Sequence, residues 1–328
     1  MATMDDVSKE AHVSRGTVSN YINGKPVKAD NVEKIKKAIE KLDYVPNASA
    51  QSLKRNRSDY VVFIIPRVNT PFFSQLTNDI QLALREMNLK MILCVSESEA
   101  QKEMIYIQMA KSQKVAGIIT ISYSDIEDLV PADIPLVALE KQVSNFFPLI
   151  ISDNFRGGQI AAQKLVEGNS SKLLYIAQKP EYEAGANRRK GFVDYCERNQ
   201  ISYQTFFSKN KKMPQQDFQE FIEENLENQH FKYDGVFCET DEFAFSFWGA
   251  LKEQGIKVPQ DVQVIGFDGI RVFPRQEPIL ASIKQPTNLI AKFAVEYLMN
   301  LIDSGHERNE EFEPLVLPVS YIPGKSVR

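Results

Sequence analysis

Apolar and polar positions follow two different rhythms along this chain. Over the first 45 residues apolar side chains recur at helical spacing in three short stretches. Met4, Val7 and Ala11 share one face, and Val18 and Ile22 share another within Ser14–Asn23. Val32, Ile35, Ala38, Ile39 and Leu42 repeat from about Asp30 to Leu42, with Lys34, Lys36, Lys37 and Lys41 off that stripe. The spacing predicts three short helices. From Tyr60 the rhythm changes. Nearly continuous apolar runs at 60–65, 89–95, 115–121, 135–139, 173–177, 235–239 and 262–267 alternate with amphipathic stretches near 72–87, 99–113, 155–167, 186–199, 214–228 and 241–254. A weaker strand is expected at 201–207, a last helix at about 287–303 and a last strand near 315–319. Continuous apolar runs suit strands buried on both faces of a parallel sheet. The count predicts two doubly wound α/β lobes in succession, whose ligands sit at strand C-terminal ends, in the cleft between them.

The polar positions sharpen the first part. Thr3 is a plausible cap for the first helix, with Asp5 and Asp6 suited to its positive start, and Ser14 caps the second. A tight turn at Ala11-His12-Val13 makes the first two helices a helix-turn-helix unit. A generic three-helix bundle gives the same pattern. The outward face of the second helix favours nucleic acid. Gly16 costs about 1 kcal/mol relative to alanine inside a helix, which suggests close approach to something. Arg15 is placed to reach guanine and Asn20 adenine. Ser14, Thr17 and Ser19 offer hydroxyls, and Asn23 an amide, to phosphates. A phosphate contact without base choice is the plainer reading of Arg15. Beyond Pro46 the chain is helix-permissive with one large apolar group, Leu53, followed by Lys54 and Arg55. It reads either as a flexible linker or as a segment that folds on binding and wedges Leu53 into a minor groove.

Net charge is −4, which by itself argues against nucleic acid; its distribution reverses that. Residues 1–58 carry a net charge of +4 and residues 59–328 carry −8. No apolar run is long enough to span a membrane, and the N-terminus has no secretory pattern. Cys94, Cys196 and Cys238 are far apart and form no Cys/His cluster, so no metal site and a reducing cytoplasm are expected. No glycine-rich nucleotide loop, P-loop or Gly-x-Ser-x-Gly motif occurs. Of the histidines, His12, His230 and His306, none stands in an acid/base set. An enzyme is not expected, nor a cofactor.

The motifs Met4-Asp5-Asp6-Val7, Ala11-x-Val13-Ser14-x-x-Thr17-Val18-Ser19, Asn23-Gly24, Leu42-x-Tyr44-x-Pro46-Asn47 and Ala50-x-x-Leu53 together resemble the lactose-repressor (LacI/GalR) family of bacterial transcription regulators. Asp153-Asn154-x-x-Gly157-Gly158, Arg188-x-x-Gly191-Phe192, Val264-Ile265-Gly266-Phe267-Asp268 and Ser282-Ile283-x-Gln285-Pro286 extend the resemblance over nearly the whole chain. It implies a helix-turn-helix head at 1–45 and a hinge at 46–59. It also implies a core like the periplasmic sugar-binding proteins, with one lobe of 60–153 plus 285–314 and another of 154–284 plus 315–328. The chain is then expected to cross between lobes near Asp153, Lys284 and Pro314. The resemblance implies a dimer on a pseudo-palindromic double-stranded operator, since no leucine-heptad tail follows Val319. Arg15, Gly16 and Asn20 fall at base-reading positions, Leu53 on an intercalating leucine and Lys54 beside it; Thr3 and Ala50 complete the DNA-facing set. For a small effector, a sugar or sugar phosphate, the expected contacts are Phe73, Glu140, Arg188, Thr240, Asp241 and Asp268. Four positions depart from the family pattern: His12 replaces a glycine, Gln51 an arginine, Glu140 an aspartate and Thr240 an asparagine. Trp248 reads as core packing. Two other readings stand beside this one: a regulator answering mainly to a partner protein, and a sugar-binding transport protein.

Overall fold

The computed structural model describes residues 2–45, 57–131, 134–179, 182–209, 214–228, 230–269, 277–305 and 311–328. They fall into two compact units, 1–58 and 59–328. In the first, α1 (Met4–Glu10), α2 (Arg15–Ile22) and α3 (Ala29–Lys41) each contribute a fully buried residue, Val7, Val18 and Ile35. Ala11, Ala38 and Tyr44 close this small core. Two caps hold the helix starts. Thr3 Oγ1 accepts from Asp6 N at 3.2 Å while the Asp6 carboxylate accepts from Thr3 N at 2.9 Å, a reciprocal box. Ser14 Oγ accepts from Thr17 N at 3.1 Å. Between the helices His12 takes a left-handed backbone, φ 51°, which histidine tolerates better than most residues.

The second unit alternates strands and helices. It runs β1 (Tyr60–Ile65), α4 (Pro71–Glu86), β2 (Lys90–Val95), α5 (Ala100–Ser112), β3 (Gly117–Thr120), β4 (Leu136–Leu139), β5 (Leu149–Ser152) and α6 (Asn154–Glu167). It continues through β6 (Lys172–Gln178), α7 (Glu183–Arg198), β7 (Ser202–Ser208), α8 (Pro214–Glu224), the short β8 (Leu226–Glu227) and β9 (His230–Phe231), then β10 (Gly235–Cys238) and α9 (Asp241–Glu253). It ends with β11 (Gln263–Asp268), β12 (Ala281–Lys284), α10 (Thr287–Ser304), β13 (Leu315–Leu317) and β14 (Ser320–Ile322). The first lobe's sheet has the order β13-β5-β4-β3-β1-β2, all parallel. The second has β14-β12-β11-β10-β6-β7, antiparallel only at β14.

The central strands of each sheet are buried on both faces, which is why they read as unbroken apolar runs. Along β1, Val61, Phe63 and Ile65 meet α4 and α10, while Val62 and Ile64 meet α5. Along β6, Leu174 and Ile176 meet α8 and α9, while Leu173, Tyr175 and Ala177 meet α6 and α7. Trp248 packs half-buried against the α8–α9 core and stacks on Phe245 at an interplanar angle of 3°. Among the described residues, no helix is long and apolar enough to cross a membrane.

The chain leaves the first lobe between Ser152 and Asn154 and returns to it between Lys284 and Thr287. The last crossing differs from the sequence expectation. Leu315–Leu317 does not belong to the second lobe. It pairs in parallel with β5, Leu315 opposite Ile150 and Leu317 opposite Ser152, and Leu317 is buried there. Pro314 precedes the strand without ending the lobe. Pro318, which has no N–H to extend a ladder, stands at the exit instead.

Helices α6 and α7 touch backbone to backbone. A β-carbon at Gly158 would lie 2.0 Å from the Arg188 carbonyl oxygen, and one at Gly191 would lie 1.8 Å from that of Phe155. These glycines bring Arg188 to the crossing at Asp153. Gly191→Ala is therefore expected to lower stability by about 2–3 kcal/mol, since overpacking forces backbone shifts. Urea unfolding measures it; an unchanged midpoint contradicts the close approach.

Candidate functional site

Two faces carry the candidate chemistry, one in each unit. On the head, α2 buries Val18 and turns Ser14, Arg15, Gly16 and Asn20 to solvent, with Thr17, Ser19 and Asn23 half-buried beside them. The Arg15 side chain is 70% exposed, and its pair with Asp5 at 3.4 Å is a weak surface contact that another acceptor can replace. A β-carbon at Gly16 would meet only Ser14 Oγ at 3.6 Å, so packing does not require glycine there. Ser14 Oγ and Thr17 Oγ1 lie 2.8 Å apart in a shared hydrogen bond. Asn23 Nδ2 donates to the Ser19 carbonyl at 2.6 Å and to Ser19 Oγ at 3.3 Å, so these two side chains are already tied together. Thr3 is exposed but committed to its capping box. Ala50, Leu53 and Lys54 lie outside the described residues.

In the core, a buried polar chain runs across the first crossing. Glu140, at the end of β4, accepts from Ser152 N at 2.9 Å and from Asn154 Nδ2 at 3.1 Å. Asn154 Oδ1 accepts from Arg188 Nε at 2.8 Å, and Arg188 Nη1 donates to the Glu239 carbonyl at 2.6 Å. Arg188 is 7% exposed, its guanidinium 3.6 Å from the Phe267 ring centroid. A second chain joins the crossings: Ser152 Oγ donates to Gln285 Oε1 at 2.7 Å, and Gln285 Nε2 donates to Asp268 Oδ1 at 2.7 Å. Glu140 and Asp268 both hold positive φ, 61° and 121°. Such backbone costs on the order of 1–3 kcal/mol and gathers where function fixes geometry. Burial raises the Asp268 carboxyl from its ordinary 3.8 to about 6; Arg188 and the Gln285 hydrogen bond oppose the rise, and Glu140 and Glu242 add to it.

The remaining expected contacts have structural work of their own. Thr240 caps α9, accepting from Phe243 N at 3.3 Å. Asp241 accepts from Gly269 N at 2.9 Å and from Ser282 Oγ at 2.5 Å, which fixes the turn after Asp268. Phe73 is buried in the first lobe's core, edge-on to Phe72 at 5.3 Å. Glu140, Arg188 and Asp268 are thus drawn into one network, while Thr240 and Asp241 fix backbone near it and Phe73 packs in the first lobe's core.

Two contacts between the lobes had no sequence signal. Tyr123, on the loop after β3, stacks on Tyr182, at the start of α7, with centroids 4.0 Å apart and an angle of 21°. Arg67 pairs with Glu242 at 3.3 Å, both half-exposed. Burial first, and then Glu140, holds the Tyr123 phenol well above its ordinary range, so it stays a donor. Asn154 and Gln285 stand inside recognisable motifs, but their roles show only in these hydrogen bonds. Among the described residues, no group of three or more His, Cys, Asp and Glu side chains is placed to hold a metal ion.

A helix-turn-helix unit followed along the chain by a two-lobed α/β core, its lobes joined through a buried polar network, is the build of a transcription regulator. Residues 3–47 match the model for bacterial regulatory proteins of the lacI family, and residues 162–327 match that for the periplasmic binding protein-like domain. The chain is 31% identical over 310 residues to the sucrose operon repressor of Lactococcus lactis subsp. lactis, covering 92% of this chain and 94% of that one. It is 28% identical to the ribose operon repressor of the same subspecies, strain IL1403, covering 100% and 98%. A structure of the lac repressor dimer bound to operator and an anti-inducer shares the fold, with TM-score 0.83, 23% identity and coverage of 99% of this chain and 98% of that one. The chain belongs to the lacI family of bacterial regulatory proteins.

The raised Asp268 carboxyl has a consequence for stability. Between pH 3.8 and about 6 the folded chain keeps this proton and the unfolded chain releases it, so the stability it contributes is lost as pH rises through that window. Asp268→Asn removes the titration while leaving an oxygen for Gln285. The variant's stability relative to the native chain is expected to rise across the window in urea unfolding; a flat difference contradicts the assignment.

Proposed function

We propose that this protein is a repressor that grips a pseudo-palindromic double-stranded operator as a homodimer, one head per half-site, and is switched by a small sugar or sugar phosphate between the lobes of its core. The observation that carries the reading is the outward face of α2. There an exposed arginine, a glycine that packing does not require and an exposed asparagine lie along one capped helix. The proposed division is a head at 1–45, a hinge at 46–59 and two lobes crossed at Asp153, Gln285 and Pro318. The protein works in the cytoplasm and turns nothing over. The sucrose and ribose operon repressors among its relatives favour a sugar as the effector.

The switch is linkage. An effector that binds the closed and open cores differently biases the head, and only by that difference in affinity. Arg188 is the proposed grip, because its fork suits paired hydroxyl oxygens or a carboxylate. Arg188→Met keeps the side-chain volume and removes the fork. It is expected to abolish the effector's influence on DNA binding while leaving effector-free affinity nearly intact, as read by fluorescence anisotropy. A response at the same effector concentration removes Arg188 from the grip.

DNA binding is tested on an operator selected from random-sequence duplexes. Arg15→Ala is expected to lose about 1–3 kcal/mol and to relax base preference at one position per half-site. A loss shared equally by all sequences leaves Arg15 a phosphate contact only.

A further inference from the structure

We propose that the interlobe cleft takes an uncharged polyhydroxylated ring and rejects its phosphate esters, with Tyr123 and Tyr182 as the side chains that clasp the ring and set this specificity. The proposal rests on the effector reading above and narrows it. Its first support is charge. Beside the Tyr123 hydroxyl stand two carboxylates, Glu140 and Asp268, with Arg188 and Tyr182, while Lys141 reaches the backbone of the next residue, Ser124. Glu242 adds a third carboxylate within reach of Asp268, and Arg67, its partner at 3.3 Å, is engaged with it. Arg188 already donates to Asn154 and Glu239 and has one face on Phe267. With Glu103 buried behind Ser122, four carboxylates face the three cations Arg188, Arg67 and Lys141, so an arriving phosphate meets more negative charge than positive where screening is weak. A hydroxyl meets acceptors in Asp268 and Glu140 and a donor in Arg188.

The second support is the tyrosine pair. One ring comes from each lobe, and at 4.0 Å they touch directly. A ligand gains the cleft only when the rings part, and closure over it presents an aromatic face from each side. Tyr123 is held for this task. Ser122 Oγ donates to the buried Glu103 at 2.6 Å, Ser124 N donates to Ser122 Oγ at 3.2 Å, and Lys141 Nζ donates to the Ser124 carbonyl at 2.9 Å. The residue is thus pinned on both sides, while among the described residues its hydroxyl has no hydrogen-bond partner. Apolar ring faces above carboxylates suit the C–H face and hydroxyl rim of a sugar.

The test is calorimetric titration of the full chain with neutral pentoses, hexoses and disaccharides and with their phosphate monoesters. A neutral sugar is expected to bind, and its ester at least about 100-fold more weakly, a difference of about 2.7 kcal/mol. Tyr182→Ala is expected to weaken the sugar by about tenfold or more and Tyr182→Phe to restore it. Asp268→Asn, which keeps the Gln285 bond, is expected to narrow the gap between sugar and ester by about tenfold. An ester that binds as tightly as its sugar overturns the proposal, as does full affinity in Tyr182→Ala. A blank with every compound overturns the effector reading itself, so the two failures are told apart.

Discussion

Asn154 is the joint on which the core depends. It stands first in α6, one residue past the crossing at Asp153, and is 5% exposed. Its amide donates to Glu140 and to the Ser152 carbonyl, and its oxygen accepts from Arg188. One neutral side chain therefore links a buried anion of the first lobe to a buried cation of the second. Each charge needs a partner in a low-dielectric place, where an unpaired one is costly. Gln285, 2% exposed, does the same at the second crossing, between Ser152 and Asp268. The interior of the joint is thus held by hydrogen bonds at both crossings. The mouth is not: it is closed by a ring stack and a half-exposed ion pair, contacts that water can replace at small expense in free energy. Strong bonding at the crossings and weak bonding at the mouth is the distribution a hinge needs.

The positive φ angles at Glu140 and Asp268 belong to the same account. A left-handed turn after β4 brings the Glu140 carboxylate back over Ser152 N, and the turn at Asp268 places its carboxylate beside Gln285. Neither residue type is at ease there, and the surrounding bonds hold both in place. The tight α6–α7 contact at Gly158 and Gly191 serves the joint as well, because it carries Arg188 close enough to reach Asn154.

Most of the fold was legible in the sequence because burial on two faces writes a strand as an unbroken apolar run. Val61–Ile65 and Leu173–Ala177 are such runs. Strands β5, β8, β9, β12 and β14 were not anticipated from the sequence. The misplaced last crossing has the same origin: a proline reads as a break, yet Leu315–Leu317 still completes the first sheet's edge. Within the site, Arg188 and Asp268 stood out through family pattern, and Asn154 and Gln285 were present in motifs without a visible role. Tyr123 and Tyr182 were invisible, since they sit on separate loops 59 positions apart and meet only in the folded core. Periodicity reports burial along one element and says nothing of contacts between loops.

In the proposed switch, DNA and effector address two ends of one equilibrium. The most direct test measures the effector's affinity twice, in the absence and in the presence of saturating operator duplex, beside the operator's affinity with and without effector. Linkage requires the two ratios to be equal and different from one. An effector affinity that is the same with and without bound operator contradicts the account, however tightly each ligand binds.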